Sequence, residues 1–339
     1  MIVDKSFVHM LSIAELFELN VFFEFLSTPT LRYEIIGDLQ SLKRSKTKNL
    51  EVVRKLSANM SRSAIEPMEF RKAALNELAG YLKIPLTGAV PIDFDTPGVS
   101  GRNGGVFIDG TIPQKQWKRW AAGDFTAEEE NEGANYRRQT EEFDPQAFAT
   151  ERRGWAKERF PQIKNLESLI EFTDKLFVAF DVLTQEMLLG TALIHLAAPP
   201  EIESAAKARL AHVSNMRLID IAPYAASIAK LWFIYIIGLA RGIIGPRRSD
   251  VRDLEYLFYA PFCDVFVSND ALQARLWPAA SSQAFFCNGQ RLKEDLAMRA
   301  RLRAANPARV AGMRPVPIEG SVVSEAFEAI RIKRQKNDT

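Results

Sequence analysis

The stretch from Asp253 to Asp270, DLEYLFYAPFCDVFVSND, constrains the fold of this chain more than any other. Its leading acid opens a helix, Leu254, Leu257 and Phe258 are spaced to give that helix an apolar face, and Pro261 ends it. Val265, Phe266 and Val267 then form a short β-branched and aromatic strand, closed by the polar Ser268, Asn269 and Asp270. A helix feeding an apolar strand is an α/β arrangement, and ligands of such sheets bind beyond the C-terminal ends of the strands. Asp270 is therefore placed for chemistry.

Other carboxylates stand in comparable positions. Met1 to Val3 reads as a very short strand, followed at once by Asp4. Ser12 and Glu15 have the spacing of a capping box at the head of the next helix. Beyond the Thr28-Pro29-Thr30 break, a further helix carries Glu34 and Asp38 one turn apart on the same face. Two stacked carboxylates repel unless a positive group or water stands between them. Asp250 lies just ahead of Asp253, and Ser268 is a candidate hydrogen-bond support at the strand end. Acids gathered at one sheet edge need a cation, and hard oxygen ligands select Mg²⁺ or Mn²⁺. A site of that kind supports phosphodiester hydrolysis, because the metal acidifies and orients an attacking water and neutralises charge on the phosphate.

These residues resemble the PIN-domain nucleases. The first acid of that family follows the first strand, as in MIVDKSF; the second rides an early helix, where Glu34 in TPTLRYEIIGDL matches better than Asp38. A third opens the helix before the fourth strand, and a Ser or Thr, a variable residue and an Asp end that strand, as Asp253-Leu254-Glu255-Tyr256 and Ser268-Asn269-Asp270 do. The resemblance implies a three-layer α/β/α fold with a short parallel sheet, here elaborated by many helices. It also implies an endonuclease that binds Mg²⁺ or Mn²⁺ through Asp4, Glu34, Asp253 and Asp270, with RNA a more fitting substrate than DNA. An inhibitor protein is a second candidate partner. Typical members are less than half this length, so the nuclease domain is expected to be discontinuous, 1–41 and 167–315, around an inserted region 42–166, with 316–339 as a tail. The competing reading is a catalytically inactive scaffold or a nucleic-acid-binding interaction protein on the same fold.

Between Ser41 and Ile65 the chain is helical and basic. Lys43, Arg44, Lys46, Lys48, Arg54, Lys55 and Arg62 oppose only Glu51, which suits either a solvated face or a track for a phosphate backbone. A second basic helix runs from Leu292 to Ala305 with Lys293, Arg299, Arg301 and Arg303. Over the whole chain 44 Lys and Arg balance 42 Asp and Glu, so net charge identifies no partner and the local patches must. Residues 86–112 are rich in Gly, Pro and Asp but lack the Lys-Ser or Lys-Thr of a P-loop, and read as a long loop or hairpin. Gln114 to Glu158, charged and carrying Trp117, Trp120 and Trp155, reads as irregular helices or a mobile insertion. The most hydrophobic segment, Ala222 to Ile244, is interrupted by Lys230 and Arg241. Its uncharged run, LWFIYIIGLA, is shorter than the ~20 residues a bilayer requires, and a buried helix with no membrane partner is expected. Cys263 and Cys287 lack zinc-site spacing and read as reduced core residues of a cytoplasmic protein; His9, His195 and His212 read as structural.

Overall fold

The computed structural model describes all residues except 43–44, 62–64, 89, 93–97, 101–105, 109–110, 213–215, 282, 306–315 and 338–339. β1 (Ile2–Val3) leads into α1 (Lys5–Met10), α2 (Ile13–Phe22) and α3 (Pro29–Gly37), followed by α4 (Lys46–Met60) and α5 (Phe70–Ala79). A hairpin of β2 (Gly98–Ser100) and β3 (Val106–Ile108) precedes α6 (Thr111–Ala122), α7 (Ala127–Glu142), α8 (Pro145–Arg159) and α9 (Leu166–Val178). Next come α10 (Val182–His195), α11 (Pro200–His212), α12 (Leu218–Ile221), α13 (Pro223–Arg241) and α14 (Asp250–Phe258). β4 (Val265–Ser268), α15 (Ala271–Ala280), β5 (Phe285–Asn288), α16 (Gly289–Ala305) and α17 (Val322–Asn337) follow.

The protein is mostly helical, with a small three-stranded parallel sheet in the order β1-β4-β5. Ile2 faces Phe266 and Val3 faces Val267; Val265 to Ser268 run alongside Phe285 to Asn288. Single bridges from Ile2 to Leu26 and from Leu26 to Ile65 extend the pairing beyond β1. Every residue of β1 and β4 is buried, as strands of a parallel sheet covered on both faces must be.

The α14 helix starts at Asp250, so Asp253 sits one turn inside it rather than at its head. Two first-turn acids favour that earlier start, because both interact with the positive end of the helix dipole. Leu254, Leu257 and Phe258 are fully buried, and Pro261 lies in the 3-10 turn that leads to β4.

Residues 114–158 form regular helices that join the common hydrophobic core, where irregular structure was expected. Few apolar residues suffice because they are well spaced. Trp117 and Trp120, three apart on α6, are fully buried and meet edge to face at 5.1 Å. On α7, Gly133 lets the helix lie directly on α3; a Cβ there would stand 2.9 Å from the Ile36 carbonyl carbon. The Gly-rich region supplies the β2–β3 hairpin. At the C-terminal end, α17 packs through Val322, Val323 and Ala326, and the Asp295 carboxylate accepts from its first backbone amide at 2.5 Å.

The α13 helix is long and apolar enough to cross a membrane, yet 72% of its most apolar window is buried inside the protein. Its first turn is capped by the fully buried Glu77, which accepts from Ala225 N at 2.9 Å and Ile84 N at 3.0 Å. Both cysteines are free and buried, and burial pushes each thiol up to about 12. His195 stacks on Trp232 at 4.0 Å, and burial together with Arg71 pushes it down to about 3.

Candidate active site at the sheet edge

Two neighbouring parallel strands end on the same side of the sheet, and each is followed by a helix whose N-cap is an aspartate. Asp4 caps α1: its Oδ1 accepts from Phe7 N at 2.7 Å and Ser6 Oγ at 2.8 Å. Asp270 caps α15, its Oδ1 accepting from Leu272 N at 2.7 Å and Gln273 N at 2.9 Å. Ser268 joins the two turns. Its hydroxyl donates to Asp4 Oδ2 at 2.5 Å and accepts from Asp270 N at 2.8 Å.

Two more acids come from helices packed over this edge. Glu34 projects from α3; its Oε2 accepts from Tyr256 Oη at 2.7 Å, and its Oε1 stands 3.6 Å from Lys5 Nζ and 3.9 Å from Arg252 Nη1. Asp38 follows one turn later, its Oδ1 at 3.4 Å from the same ammonium. Lys5 is thus the positive group between the stacked pair. Asp253 projects from α14, whose position beside α15 is fixed by a 2.8 Å hydrogen bond from the Gln273 side chain to the Asp253 carbonyl.

Asp4, Glu34, Asp253 and Asp270 all line one cavity of about 510 Å³, together with Lys5, His9, Asp38 and Tyr256. Asp250 lies outside that lining and is buried. The crowding is visible in the acidities. Burial first, then the charges of Asp270, Glu34, Asp250 and Asp4, push Asp253 up to about 8. Burial raises Asp4 as well, against the hydrogen bonds from Ser268, Phe7 and Ser6. Asp250 rises to about 6, mainly through burial, with Asp270 adding to it. Among the described residues no cation stands within ion-pair distance of Asp253 or Asp270.

The donor set suits a hard divalent cation: oxygen ligands in excess, and a carboxyl that ionises at neutral pH only if positive charge arrives. Among the described residues, no three acidic, histidine or cysteine side chains stand close enough together to enclose an ion as they lie. Three of the four carboxylates are engaged elsewhere. Asp4 is held by three donors, Asp270 by two backbone amides, and Glu34 by Tyr256 and Lys5.

Of the basic residues expected to meet a phosphate backbone, Lys43, Arg44 and Arg62 lie outside the described residues. Lys46, Lys48, Arg54 and Lys55 are exposed on α4. Val52 and Leu56 of that helix line the acidic cavity, and Lys48 and Lys55, a turn before and after Val52, share its stripe. Arg54 faces another way, donating to the Ala121 carbonyl at 3.1 Å. On α16 the cations are engaged by α2: Lys293 lies 3.6 Å from Glu15, Arg299 lies 3.7 Å from Glu18, and Arg303 is bonded to Glu18. Among the described residues, Arg301 is exposed and donates only to the Ala297 carbonyl of its own helix, so three of the four named cations of the second basic helix serve packing.

No protein-family model, curated protein or solved structure matches the chain. Two residues of the site were not singled out from sequence. Lys5 follows Asp4 directly, and Tyr256 lies three residues after Asp253 on the same helix; adjacency to a candidate acid was the available signal in each case.

Proposed function

We propose that this protein is a Mg²⁺- or Mn²⁺-dependent endonuclease with a PIN-like α/β/α core, acting on RNA in preference to DNA. The observation that carries the reading is the meeting of Asp4, Glu34, Asp253 and Asp270 in one cavity at the C-terminal edge of a parallel sheet. These acids come from separate parts of the chain, and ordinary folding gives no reason to gather them where burial and the neighbouring carboxylates push Asp253 up to about 8. When bound, a divalent cation supplies charge neutralisation at the phosphate and a more acidic water. Asp253 and Glu34 would reach the ion from the helices, Asp4 and Asp270 from the strand ends. Ser268 orients the Asp4 carboxylate, and the exposed lysines of α4 supply the positive rim that a polyanion needs beside an acidic cavity.

The test is metal-dependent cleavage of a mixed RNA pool by wild type and by Asp270→Asn. Asparagine retains the Oδ1 acceptor that caps α15, so the variant should fold with wild-type stability. Cleavage should fall by about two orders of magnitude or more. Equal cleavage by the two proteins would remove the site. A non-catalytic scaffold is the reading favoured by the unclosed arrangement of the carboxylates, and it predicts salt-dependent RNA binding with no cleavage in any metal.

A further inference from the structure

The acidic cavity already contains a cation of the protein's own. Lys5 Nζ stands 3.6 Å from Glu34 Oε1 and 3.4 Å from Asp38 Oδ1, and its side chain is 24% exposed, so the ammonium has an open route to water. Glu34 Oε2 already accepts from the Tyr256 hydroxyl, which leaves Oε1, the oxygen beside Lys5, the less encumbered of the two. A divalent ion on Glu34 would stand within a few ångströms of this ammonium, and like charges at such separations repel each other.

Resting on the metal-site reading above, we propose that Lys5 is a built-in placeholder: it bridges Glu34 and Asp38 while the site is without metal, and gives up Glu34 while keeping Asp38 when a divalent cation binds. This gives Asp38 a role. It is one helical turn from Glu34, lines the same cavity and keeps the ammonium paired once Glu34 is given up. It also accounts for a cavity that gathers carboxylates without closing them on a point. The wall formed by Glu34 and Asp38 is neutralised from inside, while the wall formed by Asp253 and Asp270 is not. Lys5 is a positioning residue in this scheme; it sets the affinity for the ion and its threshold concentration.

Two measurements test it. Mn²⁺ titrations followed by electron paramagnetic resonance compare wild type, Lys5→Met and Lys5→Arg, with circular dichroism confirming that each is folded. Lys5→Met should bind Mn²⁺ about tenfold more tightly, and Lys5→Arg, which keeps the charge, should stay near wild type. In the wild-type protein, acylation of Lys5 by an amine-reactive ester, read by peptide mass spectrometry, should increase several-fold in saturating Mg²⁺, with Lys48 as the unchanged reference. Mn²⁺ binding that is no tighter in Lys5→Met, or Lys5 acylation indifferent to Mg²⁺ in a protein that binds it, overturns the placeholder alone. Absence of Mn²⁺ binding in all three proteins overturns the metal site itself.

Discussion

Two groups of acidic side chains in this molecule differ in how many cations they are given. Between α2 and α16, Glu18 is only 2% exposed, yet Arg303 and Arg299 both reach it, and Glu15 has Lys293 beside it while completing the Ser12 capping box. At the sheet edge, among the described residues, Lys5 stands beside Glu34 and Asp38 and Arg252 at the margin of Glu34, while Asp4, Asp253 and Asp270 have no cation within ion-pair distance. The first group is a helix–helix joint that happens to be ionic, and its charges close. In the second, burial first and then the surrounding carboxylates push Asp253 up to about 8. Desolvated charge without a partner is destabilising, so a fold that retains it is poised for a counter-charge from outside.

Breaking the balanced group should cause the largest loss of stability. Glu18→Gln leaves Arg299 and Arg303 without their carboxylate, and the expected loss is about 3 kcal/mol in a urea titration. That is the low end for a buried pair, since the Arg303 side chain remains 32% exposed. Mn²⁺ affinity should not change. A loss well under 1 kcal/mol would mean that the joint is held by its apolar contacts, such as Arg299 lying over the Phe22 ring at 4.2 Å.

The unbalanced group should respond with the opposite sign. In the folded protein Asp253 keeps its proton up to about pH 8, whereas the unfolded chain releases it at about pH 4. Folding therefore takes up a proton between those values, so stability falls as pH rises through that window and levels off above it. Asp253→Asn cannot ionise. Its stability should be closest to wild type at the acid end and exceed it by on the order of 5 kcal/mol above the window, at about 1.4 kcal/mol per pH unit, as measured by thermal melts across pH without metal. A gap independent of pH would show that the Asp253 carboxylate already has a counter-charge, and the contrast between the two groups would fail.

What could be read from sequence followed the range of the signals. The α14–β4–α15 segment was legible because helix face, helix stop, strand and acidic strand end lie consecutively, each decided by near neighbours. Asp4 and Ser268 could be named as individual residues, but the hydrogen bond between them joins neighbouring strands that lie 264 residues apart in sequence. The Lys5 bridge is of the same kind. The sequence poses the problem of Glu34 and Asp38 stacked on one face, and the solution comes from a residue on a different helix. The α6–α8 region was misread for a related reason. Its composition is polar, and two tryptophans and one close glycine contact carry the packing that a hydrophobic average hides. On α16 the pattern showed a basic helix correctly, but whether its charges are open or engaged depends on α2, far away in sequence.

That last distinction leads to the smallest effect and the finest test of the contrast between engaged and open charge. Lys48 and Lys55 share the helix stripe of Val52, which lines the acidic cavity, whereas Arg54 on the same helix donates to the Ala121 carbonyl and Lys293 is engaged by Glu15. Lys55 donates to the His9 carbonyl and Arg54 to the Ala121 carbonyl, both at 3.1 Å and both neutral partners, so the two cations differ in the face of α4 they occupy, Lys55 on the side of the acidic cavity and Arg54 towards α6. If the rim carries a single-stranded RNA, Lys48→Ala and Lys55→Ala should each lower the slope of log affinity against log salt by about 0.7, the value of one released counterion on a single strand. Arg54→Ala and Lys293→Ala should leave the slope unchanged while costing stability. Equal slopes for all four variants would mean that α4 is a solvated face, and the polyanion, if one binds, approaches the acidic cavity from another side.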